Sequence, residues 1–136
     1  MGQEFDGGTP RDGGAFDLDA FTVGYVEACL WANTLNADVS DTVSDARYWM
    51  LDVDAIAAMQ DACAEFQIEN AEALAAAYAT GYTADQAGCD FALTRNRHGA
   101  GFWDRGLGDA GKHLTDAAHA WGDFSLHCEN DRITAL

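Results

Sequence analysis

The sequence predicts a mainly α-helical protein: a bundle of four to five helices with a small C-terminal β-hairpin. Three observations carry that expectation. Apolar residues recur at three- and four-residue steps through most of the chain, the spacing of one helix face. Recognisable caps and glycine terminators bound those stripes. Near the C-terminus, residues 123–128 switch to strict alternation between polar and apolar, the period of a strand. At 136 residues the chain fits one domain, read here as 16–136. Residues 1–15 hold five of the 14 glycines, the sole proline and few apolar groups, so they are expected to be a disordered acidic segment.

The first helix is placed from about Asp17 to Asn36. Leu18, Phe21, Tyr25, Cys29, Ala32 and Leu35 form its face, and Val26 and Leu30 widen it. Asp17 and Asp19 stand at its start, where the helix dipole favours negative charge. Residues 37–51, which carry Tyr48, Trp49 and Met50, read as a loop that tucks an aromatic pair against the core. Asp52 or Asp54 caps the second helix, whose stripe is Ile56, Met59, Cys63 and Phe66. That stripe weakens at Asn70 and resumes at Leu74 and Tyr78, as one long helix or two joined near Glu69, with Gly81 as terminator. Thr83-Ala-Asp-Gln86 is a capping box that opens the third helix, which carries Ala87 and Phe91 and ends near Arg97. Leu107, Ala110, Leu114, Ala118 and Trp121 mark the fourth, from about Asp109 to Trp121, closed by Gly122. Phe124, Leu126 and Cys128 then alternate with polar residues, Asn130-Asp131 supplies a turn, and 132–136 returns as the second strand.

Charge is the unusual feature. There are 23 acidic against 7 basic residues, a formal net charge of −16, and 17 of the acids are Asp. Direct binding to nucleic acid or an anionic membrane needs clustered Lys and Arg and is not expected. Two readings of the acidity stand side by side. It is an adaptation of habitat or solubility, or it imitates a phosphate backbone and occupies a protein that handles nucleic acid. No run approaches the ~20 apolar residues of a membrane span, and the N-terminus has no basic start or apolar core, so a cytoplasmic setting is expected. Cys29, Cys63, Cys89 and Cys128 are widely spaced, form no C-x-x-C pair, and read as reduced, buried small hydrophobes. No metal and no cofactor is expected.

The densest polar stretch is Asp90-Phe-Ala-Leu-Thr-Arg-Asn-Arg-His-Gly-Ala-Gly-Phe-Trp-Asp-Arg-Gly106, which gathers three of the six arginines of an otherwise acidic chain. As a connector, Asp90 and Thr94 share a helix face, Arg95 or Arg97 caps the helix end, and Gly99 and Gly101 turn the chain. Phe102 and Trp103 then plug the core, and Asp104 pairs with an Arg. As an enzyme site, His98 is the base, oriented by Asp90 or Asp104, with Arg95 or Arg105 holding an anion. As a contact site, Arg95, Asn96, His98, Trp103, Asp104 and Arg105 meet a partner, since Trp and Arg dominate interface energetics. A second candidate contact is the acidic face of the second helix. There Asp61, Glu65, Glu69 and Glu72 follow at steps of four, four and three residues, behind Asp38, Asp41, Asp45, Asp52 and Asp54.

The pattern D-F-x-L-T-R-N-x-H-G-A-G-F-W-D-R-G resembles the signature of a family of small, poorly characterised bacteriophage and prophage proteins. Phe21-x-x-x-Tyr25-x-Glu27-Ala-x-Leu30-Trp31, Cys63-x-x-Phe66-Gln67-x-x-Asn70, the Gly106-Leu-Gly108 stretch and the closing strands extend the likeness over 21–136. Cys89 and Ala92 stand where that pattern has a His-like polar and an aromatic residue. The resemblance implies a phage or mobile-element setting inside a host cell. With the charge, it leads to a non-enzymatic accessory protein that binds a host protein and acts as an acidic, nucleic-acid-mimicking inhibitor of defence machinery such as CRISPR or restriction complexes. The alternatives are the His98-centred enzyme and a structural or regulatory phage protein without mimicry. The oligomeric state is left open.

Overall fold

The computed structural model describes residues 18–34, 51–129 and 132–135. Among them the chain is mainly helical, with five α-helices: α1 (Ala20–Thr34), α2 (Val53–Glu69), α3 (Ala71–Tyr78), α4 (Ala84–Arg95) and α5 (Asp109–Trp121). A single 3₁₀ turn, Phe102–Asp104, lies between α4 and α5. Two four-residue strands follow, β1 (Leu126–Glu129) and β2 (Arg132–Ala135), antiparallel with Leu126 opposite Ala135 and Glu129 opposite Arg132. The disordered segment expected at 1–15, the loop aromatics Tyr48 and Trp49 with Met50 beside them, and the turn at 130–131 lie outside the described residues. So do Leu35, Asp38, Asp41 and Asp45.

Three of the helices, α1, α2 and α4, start where a side chain satisfies free amides. Asp19 Oδ1 accepts from the Thr22 N–H at 2.8 Å and opens α1. Its other oxygen accepts from Gln67 Nε2 at 3.2 Å, which ties the start of α1 to α2. Burial pushes the Asp19 carboxyl up, but the bonds from Thr22 and Gln67 outweigh that and hold it below its usual value. Asp52 caps α2, accepting from the Asp54 N–H at 3.0 Å. The Thr83–Gln86 capping box is formed, with the Thr83 N–H donating to Gln86 Oε1 at 3.0 Å.

The long second stripe is two helices. Asn70 breaks it with φ −121° and ψ 27°, so Glu72 opens α3 instead of continuing the ridge of α2. The buried Asn70 amide donates to the Phe66 carbonyl at 2.9 Å. Its Oδ1 is therefore the acceptor facing His113 Nε2 at 3.0 Å, and that ring nitrogen carries the proton. One side chain thus fixes the α2–α3 elbow and docks it on α5.

The core is an aromatic stack. Phe66 and Phe91 lie face to face with ring centroids 4.0 Å apart. Phe21, Tyr25, Phe102 and Trp121 surround them at 5.2–6.1 Å from one or both rings. β2 joins this core through Ile133, which is buried, and by a parallel bridge to Leu51 in which the Asp52 N–H reaches the Ile133 carbonyl at 2.7 Å.

What allows the stack is the crossing of α1 and α4. A Cβ on Gly24 would lie 2.0 Å from the Asp85 carbonyl oxygen, and one on Gly88 would lie 1.8 Å from the Phe21 carbonyl oxygen. The two helices therefore touch backbone to backbone, and any larger residue drives them apart. Gly88→Ala and Gly24→Ala are each expected to cost about 3 kcal/mol, the upper part of the overpacking range, because the atoms in the way are main chain and cannot rotate aside. Urea denaturation of the two variants checks this; a loss under ~1 kcal/mol for either would contradict the crossing described.

Candidate functional site

The helical part of the motif at 90–106 folds inward, while Arg97, Gly99 and 103–106 are exposed. Helix α4 buries Asp90, Thr94 and Arg95. Arg105, returning from the 3₁₀ turn, grips Asp90 with two bonds, Nε to Oδ2 at 2.9 Å and Nη2 to Oδ1 at 2.8 Å. The Tyr82 hydroxyl donates to the same Oδ2 from the other side. Burial, the bond to Asp90 and the Asp90 charge all drive the Tyr82 phenol upward. The Asp90 bond holds the Arg105 guanidinium upward as well. The proton stays on Tyr82 and the charge on Arg105 throughout the ordinary pH range. The connection therefore pairs Arg105 with Asp90, not with Asp104, which is exposed.

Arg95 is buried and caps a helix other than its own. Nε donates to the Gly122 carbonyl at 2.7 Å, Nη2 to the Trp121 carbonyl at 3.4 Å, and Nη1 to the Tyr25 hydroxyl oxygen at 3.0 Å. The guanidinium sits 5.3–5.5 Å from the ring centroids of Phe91, Trp121 and Phe124. Its charge faces the negative end of α5 and three aromatic faces. Asn96 holds the same junction: Nδ2 donates to the Ala92 carbonyl at 3.0 Å, and Oδ1 accepts from the Phe124 N–H at 2.7 Å. Arg95 and Asn96, expected at a partner contact, are thus engaged inside the molecule.

The turn after α4 is made by a different residue than expected. Gly99 and Gly101 are not in the left-handed region; Arg97 is, at φ 57°. The His98 N–H bonds the Leu93 carbonyl at 2.9 Å and the Arg97 N–H bonds the Thr94 carbonyl at 3.0 Å, the Schellman closure of a helix. Gly101 serves space instead: a Cβ there would lie 2.3 Å from Thr94 Oγ1 and 2.6 Å from Trp103 Cζ3. Phe102 is buried as expected, but Trp103 is 45% exposed and does not plug the core. The 3₁₀ turn aims the two neighbouring rings apart, one into the stack and one over Gly101.

The residues of a His98-centred site are not drawn together. Arg105 and Tyr82 occupy the Asp90 carboxylate, Arg95 is turned to the end of α5, and no hydrogen bond among the described residues orients the half-buried His98 ring. Beside the α1–α4 crossing lies a cleft of about 640 Å³ with Glu27, Asp85, Gln86, Cys89, Asp90 and Arg105 on its walls. Its thiol is not an activated nucleophile. Burial pushes Cys89 up, and the Asp90, Asp85 and Glu27 charges add to that against Arg105. Burial likewise raises the thiols of Cys29, to about 12, and of Cys63. Among the described residues no group of His, Cys, Asp or Glu is arranged to hold a metal ion, and no helix is long and apolar enough to cross a membrane.

Asp61, Glu65 and Glu69 are exposed along α2, and Glu72 is exposed at the start of α3. Glu69 is raised above its usual value, first by hydrogen bonding with Glu65 one turn away, then by burial and by the Glu65 charge. Comparison with family models, with curated proteins and with solved structures finds no match for the chain.

Two expectations follow from this geometry. Arg97→Gly should stabilise the fold by about 1 kcal/mol, because glycine takes the left-handed conformation without the Cβ clash; thermal melting reads the gain, and a loss would mean that the Arg97 side chain holds more than the turn. The raised Glu69 means that the folded state binds this proton more tightly than the unfolded chain. Its contribution to stability is complete below 4.5 and is lost as pH rises through the folded value. Glu69→Gln should flatten the stability–pH curve in that window, as followed by denaturation at a series of pH values.

Proposed function

We propose that the chain is a non-enzymatic accessory protein, of phage or mobile-element origin, that binds a host protein. The acidic surface takes the place of a nucleic-acid backbone and so inhibits nucleic-acid-handling machinery such as CRISPR or restriction complexes. One observation carries this reading: Asp61, Glu65 and Glu69 stand exposed on the outer side of α2, each one turn from the next. A helix held only for its packing has no need of such a row, since like charges at this spacing oppose it. The net charge of −16 supports the same reading, because it repels nucleic acid and attracts the basic channels that bind it. The engagement of Asp90, Arg95, Asn96 and Arg105 in internal bonds supports it from the other side, by giving these four residues of the polar motif a structural role. The phage setting rests on the resemblance of the 90–106 pattern.

The test is binding at two ionic strengths. The chain is used to capture its partner from host lysate, and the purified partner is then titrated with wild type and with the D61N/E65Q/E69Q/E72Q variant. The variant should bind at least tenfold more weakly, with a flatter salt dependence, and duplex DNA should displace the wild-type chain. Equal binding of both proteins at both salt concentrations would remove this face from the interaction.

A further inference from the structure

The outer side of α2 carries more than charge. Helix α2 already buries one apolar face, with Ile56, Met59, Cys63 and Phe66 in the core. A second apolar line runs along its exposed side. At about 100° per residue, Val53, Ala57, Ala64 and Ile68 fall within about 60° of arc, and Asp61, Glu65 and Glu69 occupy roughly the next 80°. All four apolar residues are exposed. Val53 is 63% and Ile68 77% accessible, the two most exposed of the large apolar residues described. Bulk stands at both ends of the line and alanine between, which leaves a low stretch that larger side chains of another element can enter.

We propose that this face of α2 is a docking seam for a basic amphipathic helix of a partner protein. The inference rests on the proposed function and specifies the partner's chemistry. The partner's apolar side chains pack along Val53, Ala57, Ala64 and Ile68. Its Lys or Arg residues, on one flank only, meet Asp61, Glu65 and Glu69. This is the arrangement by which a helical seam with charged edges selects partner and orientation. The line runs from Val53 to Ile68, 15 helical steps or about 22 Å, and a straight rod-shaped segment matches it. Charge decides among the possible occupants. A second copy of this chain brings another −16 to the contact, and the chain's own segments 1–17 and 35–50 each carry more acids than bases. Nucleic acid and anionic lipid are repelled for the same reason. A basic protein helix meets both stripes, the apolar one by burial and the acidic one by complementarity.

Two synthetic helix-forming peptides of equal length and equal Lys content test this. One has leucines at seam spacing, and the other has glutamine at those positions. Each is titrated calorimetrically into wild type, Ile68→Ser and D61N/E65Q/E69Q/E72Q, after thermal melts establish that the variants are folded. The leucine peptide should bind wild type at least tenfold more tightly than the glutamine peptide and gain helical circular dichroism on binding. Ile68→Ser should erase that difference while leaving the glutamine peptide unaffected. Wild type binding the two peptides equally, or Ile68→Ser leaving the leucine peptide's affinity unchanged, would overturn the seam while the acidic reading stood. The amide variant holding both peptides as tightly as wild type would instead overturn the acidic reading, and with it the charged flank of this site.

Discussion

Everything in this molecule is arranged around one close approach, the backbone contact between α1 and α4 at Gly24 and Gly88. Two helices at ordinary separation keep their axes 8–10 Å apart, with side chains filling the space between. Here two absent side chains let the main chains meet. The aromatic rings on either side, Phe21 and Tyr25 from α1 and Phe91 from α4, are thereby drawn into one cluster that Phe66 can stack upon. Widening the crossing by even a methyl group would pull Phe21 and Phe91 away from Phe66 together. The contact also sets the height at which Asp90 and Arg95, later on α4, meet their partners.

Those partners explain why half of the arginines of so acidic a chain sit in one stretch. A short connection, 96–108, must carry the chain from the end of α4 to the start of α5. It is held by charge-assisted bonds: Arg105 to the buried Asp90, and Arg95 to the carbonyls that close α5. Arginine suits both sites because its planar fork presents several donors in fixed directions, which an ammonium on a flexible stem does not. Arg95 also fills the space between three aromatic rings, so replacing it by lysine would lose packing as well as bonds. Removing either member of the Asp90–Arg105 pair leaves a charge facing the interior, a change that generally costs 3–5 kcal/mol when both groups are buried and less when, as for Arg105, one is partly open to water.

What the sequence made legible was local. The Thr83–Gln86 box, the Asp52 cap, the Gly81 and Gly122 terminators with φ +100° and +75°, and the helix from Asp109 to Trp121 all depend on residues within a turn or two of one another. What it hid was relational. Gly24 and Gly88 read in isolation as weak points of two helices, since glycine is a poor helix former; only the opposing backbone gives them a purpose. Arg95 reaches Gly122 across 27 residues, a partner that no spacing rule suggests. Trp103 follows Phe102 directly, and a tight turn sends neighbouring side chains in different directions, so apolar character alone placed both rings inside and was right for one. The break at Asn70 was visible as a gap in the stripe, yet it took the His113 contact to make it a corner. Of the candidate site, the acidic row on α2 could be read directly from periodicity. The inward engagement of the polar motif could not, because density of polar residues does not tell a surface from a connector.

The same contrast bears on where recognition resides. A polar residue whose donors and acceptors are all taken inside the fold has little left to offer a partner, since breaking an internal bond to form an external one returns almost nothing. The buried Asp90 and Arg95 are in that position, while Arg105 gives two of its nitrogens to Asp90 and stays partly open to water. The exposed carboxylates of α2 are in the opposite one. Water and salt weaken their mutual repulsion, so the helix tolerates them. Its opposite face buries Ile56, Met59 and Phe66 completely, each worth roughly 1.5–3 kcal/mol, and that is ample to hold the helix against such a load. A basic surface that excluded the water would reverse the sign of the electrostatic contribution, from weak repulsion within the row to attraction across the interface. On the proposed reading, the outer face of α2 is where this chain gains free energy from a partner.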